Sequence, residues 1–133
     1  MKKAKETDVF FDHPNEGELF LEHSFYLLDG EHILFVCKNV KGDRFLCSCC
    51  QMSKKWVIGK TETQTLLDLI DDKITIREVL QQCNPKWITV WDGKYFAYST
   101  VVPDHVLPKE GELLELPLEK CGAYKEMLVK ATQ

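Results

Sequence analysis

A chain of 133 residues suits one domain that buries roughly two-thirds of the surface its unfolded form exposes. Its hydrophobic fraction of 44%, charged fraction of 29% and net charge of −4 are those of a globular protein whose main partner is neither nucleic acid nor an anionic membrane. No apolar run approaches the ~20 residues of a membrane helix, and no signal-peptide apolar region follows the basic start Met1-Lys-Lys-Ala-Lys5.

The expected location is therefore cytoplasmic, and the six cysteines are expected as reduced thiols rather than a disulfide framework. Residues 1–133 are expected to form a single domain, with 1–8 as a flexible tail. Residues 9–11 suggest a short strand, 12–18 contain turn chemistry (His13-Pro14-Asn15 and Gly17), and 19–21 suggest the start of a second strand. A meander follows. Strands at 25–28 and 32–37 flank Asp29-Gly30, a turn in which both positions tolerate positive φ. That turn pairs Leu28 with Glu31, Tyr26 with Ile33 and Ser24 with Phe35.

The next hairpin turns on a three-residue loop, 40–42, with Gly42 in the left-handed position. Asn39 then faces Asp43, Cys37 faces Phe45, Phe35 faces Cys47, and Ile33 faces Cys49. One sheet face is wholly apolar in this register, while the other carries Leu34, Val36, Lys38, Arg44 and Leu46. A slip of one residue would mix the two faces. The run 33–37 is apolar on both faces, as in a central strand.

A fourth strand at 56–59 leads into the one long segment with helical periodicity, residues 61–83. It reads as two short helices. Leu66, Leu67, Leu69 and Ile70 line the first, with Thr61 and Gln64 as a capping box at its start and an end near Asp71-Asp72. Thr75 and Glu78 cap the second, Ile76, Val79, Leu80 and Cys83 line it, and Asn84-Pro85 stops it. A DNA-reading helix pair is excluded. The second helix offers only Arg77, Gln81 and Gln82 as donors, beside Asp71, Asp72 and Glu78, and phosphate attraction needs a basic face.

Strands at 87–91 and 94–99 flank Asp92-Gly93, pairing Trp91 with Lys94 and placing Trp87, Thr89, Trp91, Phe96 and Tyr98 on one face. Residues 101–117, with three prolines, read as an irregular crossing. A last helix over 118–130 turns Cys121, Tyr124 and Leu128 inward, and Gly122 weakens it by about 1 kcal/mol relative to alanine. The fold class is α+β: a mostly antiparallel meander sheet, a helix pair packed on it and a C-terminal helix.

Four groups of residues invite chemistry. Cys37, Cys47 and Cys49 share a strand face, but structural zinc favours C-x₂₋₄-C knuckles, and thiols among Phe35 and Phe45 behave as small hydrophobes. Cys50 opposite His32 is the one candidate nucleophile–base pair, and a small hydrolase is the enzyme reading it supports. His13, His23 and His105 carry no role. Trp87, Trp91, Phe96 and Tyr98 are candidate partner anchors if exposed, against the competing reading that they fill the core. The carboxylates of Glu16, Glu18 and Glu22, of Asp68, Asp71 and Asp72, and of Glu110, Glu112 and Glu115 read as solvated faces. Glycine-rich phosphate loops are absent from the sequence, and no metal or cofactor is expected, with a structural zinc-binding protein as the second alternative behind the hydrolase.

The strand ending Leu28-Asp29-Gly30, the apolar strand 33–37, the Gly42-Asp43 hairpin and the phrase Lys73-Ile-Thr-Ile-Arg-Glu78 together resemble a family of small bacterial domains grouped only as a domain of unknown function. The family's lysine-isoleucine-serine-leucine-arginine segment is similar to 73–77. The resemblance spans residues 25–83 and implies a bacterial or phage-borne cytoplasmic α+β domain. It carries no catalytic residue, and the chain departs from the pattern after Ser99. The small size, the acidity and the lack of a convincing active site make a non-catalytic protein-interaction module of immunity or phage defence the expectation, with a basic protein as its partner.

Overall fold

The computed structural model describes residues 9–13, 17–28, 31–50, 55–84, 86–91, 96–99, 107 and 118–131. Among these residues seven strands follow one another in space as in sequence: β1 (Val9–His13), β2 (Gly17–Leu28), β3 (Glu31–Lys38), β4 (Arg44–Cys50), β5 (Lys55–Thr61), β6 (Lys86–Trp91) and β7 (Phe96–Ser99). Every neighbouring pair is antiparallel. Helices α1 (Thr63–Ile70) and α2 (Ile76–Gln82) sit between β5 and β6, and α3 (Leu118–Ala131) closes the described chain. The protein is thus the expected α+β meander with a helix pair and a C-terminal helix. No helix among the described residues is long and apolar enough to cross a membrane.

Alternation along the strands produces two apolar clusters. Leu34, Val36, Leu46 and Val57 meet the helices, joining Leu66, Leu69, Ile70, Val79, Leu80, Tyr124 and Leu128. On the opposite face Leu19, Phe35, Cys37, Phe45, Cys47, Ile58 and Trp87 form a second cluster built only from strand residues. Leu34, Phe35, Val36 and Cys37 are all buried, as the uninterrupted apolar run of a central strand requires.

The β3–β4 register is the expected one: Cys37 faces Phe45 and Phe35 faces Cys47. Gly42 has φ +93°, the left-handed value that the 40–42 loop needs. Asn39 ties that loop from inside. Its Oδ1 accepts from the Lys41 N–H at 3.1 Å and the Asp43 N–H at 2.9 Å, so a buried polar side chain finds its partners within the turn.

Other registers differ from the sequence reading. Leu28 faces Glu31 and Ser24 faces Phe35, as expected, but Tyr26 faces Leu34 rather than Ile33. The register shifts between Leu21 and His23, between Ser24 and Tyr26, and between Tyr26 and Leu27. Such irregularities break the period-2 pattern that a strand is read from, and β2 accordingly extends far beyond the two short pieces expected. Trp91 faces Phe96 rather than Lys94. The shift is even, and of the five residues expected on one face only Trp87 has a described side chain. Residues 92–95, where the Asp-Gly turn was expected, lie outside the described residues, as do 1–8 and most of 101–117.

The two short helices start by different means. Thr75 Oγ1 accepts from the Glu78 N–H at 3.1 Å, and Glu78 Oε1 accepts from the Thr75 N–H at 3.1 Å. This is the expected capping box. The expected box at Thr61 and Gln64 does not form. Thr61 is the last residue of β5, the N-cap is Glu62 with no side-chain cap bond, and Gln64 Nε2 instead donates to Asp68 Oδ1 at 3.1 Å. Helix α1 ends at Asp71, as its acidic residues suggested, and Asp72 takes φ +60° to turn the chain. Lys86 Nζ donates to the carbonyls of Leu80 and Gln81 at 3.2 and 3.0 Å, placing a cation at the negative end of α2.

Candidate functional site

Two polar features stand out, one inside the fold and one on its surface. The inner one centres on Glu22, whose carboxyl lies where β2, β4 and α3 converge. Glu22 Oε1 accepts from Arg44 Nε at 2.8 Å and from the Tyr124 hydroxyl at 2.6 Å. Its Oε2 lies 4.0 Å from Lys38 Nζ, and Arg44 Nη1 donates to Thr63 Oγ1 at 3.1 Å. Side-chain exposures of 9% for Arg44 and 11% for Glu22 put the ion pair in a partly dry setting, where charges persist only when paired and hydrogen-bonded. Burial alone opposes the Arg44 charge, but the Glu22 carboxylate outweighs it and holds the guanidinium above its ordinary value. Burial raises the Tyr124 hydroxyl strongly, and its bond to Glu22 adds to the rise, so this phenol is a fixed donor and not a proton exchanger near neutrality.

Glu22 is therefore not on a solvated face, as its acidic neighbours suggested. It is the residue skipped where the β2–β3 register shifts between Leu21 and His23. His23, which carried no role in the sequence, stacks on the Tyr124 ring at 4.3 Å with planes 6° apart. One sequence signal pointed here. The β3–β4 register sets Lys38 directly opposite Arg44, and like charges facing each other need a counter-charge from the adjoining strand.

The outer feature is a cleft of about 680 Å³ between the β3–β4 hairpin, the start of α1 and the end of α2. Asp43, Lys60, Thr63, Thr65, Gln82 and Asn84 are among its walls, and Arg44 also reaches it. Lys60 pairs with Asp43 at 3.4 Å, so the charges there balance one another. Cys83 lines the cleft too. Its thiol donates to the Val79 carbonyl at 3.1 Å and is pushed up to about 12, chiefly by burial, with Lys86 pulling the other way. A thiol in that state presents almost no thiolate near neutrality.

The sequence-derived candidates fare differently. Trp87 is 1% exposed and meets Phe45 edge-on at 5.9 Å. It is a core side chain and not an exposed anchor, because its strand position points into the second apolar cluster. The side chains of Trp91, Phe96 and Tyr98, and those of Cys50 and His32, lie outside the described residues. Cys37, Cys47, Cys83 and Cys121 are free and buried. Burial, and then the neighbouring Cys37, hold the Cys47 thiol well above its ordinary value, and burial also raises Cys121. Among the described residues no group of three or more His, Cys, Asp or Glu is placed to hold a metal ion.

The fold and these features define the molecule as an α+β meander protein with an open polar cleft at one end of its helix pair. No family model, no curated protein and no solved structure matches the chain.

Proposed function

We propose that the protein is a non-catalytic module that binds another protein, with the cleft beside α1 and α2 as its contact surface. The observation that supports this most is the chemical character of that cleft. Hydroxyls, amides and a self-compensating Lys60–Asp43 pair line it, and the thiol within reach is held in its unreactive form. Such a surface can make many directional hydrogen bonds while offering no activated nucleophile. The net charge of −4 favours a basic partner through long-range attraction. The resemblance of residues 25–83 to small bacterial domains suggests a cytoplasmic setting, and the small, acidic chain suits a role in immunity or phage defence.

Glu62 and Gln82 are both exposed at the cleft, which makes them the test positions. Tagged wild-type protein and the Glu62→Lys/Gln82→Lys variant are passed over the same host lysate. The expected result is a basic protein retained by the wild type and lost by the variant at an unchanged thermal midpoint. Equal capture by both proteins, or a clean monomer that retains nothing, counts against the proposal.

A further inference from the structure

Helix α3 is seated by a narrow set of contacts. Cys121, Tyr124 and Leu128 are buried, whereas Gly122, Ala123, Glu126, Met127, Val129 and Lys130 are exposed. The helix packs mainly on α1, and Tyr124 is the residue that ties it to β2. Its hydroxyl donates to Glu22 Oε1 at 2.6 Å, its ring lies flat on His23 at 4.3 Å, and it meets Phe25 edge-on at 6.0 Å. His23 in turn meets Phe25 edge-on at 5.0 Å. Two consecutive residues of β2, one carboxylate and one imidazole, therefore hold the same tyrosine. The second polar tie is Lys125 to Asp71 at the C-cap of α1, 2.5 Å long.

An imidazole stacked in this way is tolerated best when neutral, because an imidazolium loses hydration on every side that the rings cover. The groups facing it from the packed elements are few. Glu22 is beside it on β2 and Tyr124 comes from α3. Arg44 of β4 and Lys38 of β3 already share the Glu22 carboxylate, and Lys125 is engaged by Asp71.

We propose that α3 is an acid-loosened clasp, in which protonation of His23 releases the tie of Tyr124 to β2 and leaves the helix held by α1 alone. Burial lowers His23 from its ordinary value of 6.5, and the nearby Glu22 opposes this without overcoming it. The sign follows from linkage. A histidine depressed in the clasped state binds fewer protons there than in the released state. The clasp is at full strength above pH 6.5 and weakens as pH falls below that value toward the depressed one. This is local opening: the strand-only cluster of Phe35, Phe45, Ile58 and Trp87 contains no residue of α3 and stays closed.

The test is an NMR titration of the full chain from about pH 8 to about pH 5, following the His23 ring and amide protection in α3 and in β3–β5. The expected result is His23 titrating below 6.5, α3 protection falling up to about tenfold per pH unit across the window, and sheet protection unchanged. His23→Phe keeps a stacked ring that cannot be protonated and is expected to flatten the α3 response. His23 titrating at or above 6.5, an α3 loss that persists in His23→Phe, or simultaneous loss of helix and sheet each overturns the proposal. The wild-type titration decides the matter even where the variant does not fold.

Discussion

At the scale of single residues, Glu22 does more than any other described side chain to join separate elements. It satisfies Arg44 from β4 and Tyr124 from α3 with one oxygen. Replacing it by glutamine leaves a mostly buried guanidinium facing a neutral amide, and removing one partner of such a pair costs about 3 kcal/mol. Tyr124→Phe deletes a single hydrogen bond to a charged acceptor and costs about 1.5 kcal/mol. Urea unfolding of the two variants is expected to rank them in that order, and the reverse order would place the ion pair among contacts of little worth. In the sequence Glu22 looked like one more acidic residue after Glu16 and Glu18. Its role was hidden because the register shift beside it cancels strand periodicity, whereas the Lys38–Arg44 opposition was visible and asked for a counter-charge.

At the scale of elements, legibility followed how local the determinants are. The 40–42 loop was readable because Gly42 and Asn39 act within the turn, and α2 was readable because Thr75 and Glu78 cap it reciprocally. The start of α1 was not, since Thr61 is held in β5 by pairing with Arg44 of β4, and Gln64 turns to Asp68 instead. The packing of α2 on β5 was equally invisible. A Cβ at Gly59 would lie 2.5 Å from both Cβ and Sγ of Cys83, so this position requires glycine by close approach and not by backbone conformation. Gly59→Ala is expected to cost about 1–3 kcal/mol through overpacking. Cys83→Ala keeps the offending Cβ and is expected not to rescue it, whereas Cys83→Gly recovers part of the loss in a double-mutant cycle. Rescue by Cys83→Ala would mean that the sulfur alone sets the contact.

At the scale of the whole molecule, the meander and its two apolar faces were legible because each strand pairs with its sequence neighbours and alternation assigns the faces. The inward face of α3, Cys121, Tyr124 and Leu128, was legible from its periodicity, but its tie to β2 was not, since Tyr124 and Glu22 are 102 residues apart and no local pattern couples them. The cleft was hidden for a similar reason, being assembled from a hairpin and the ends of two helices. Both polar features point the same way: side chains with chemical potential are occupied in holding elements together, and what faces solvent is suited to contact. The competing enzyme reading needs a thiolate. Timed alkylation of the native protein near neutral pH, read by intact mass, separates the two accounts most directly. All six thiols are expected to stay unmodified until denaturant is added, with Cys37, Cys47 and Cys83 the last to open. Rapid and selective modification of Cys50 in the native state would contradict it and return the pair with His32 to the position of an active site.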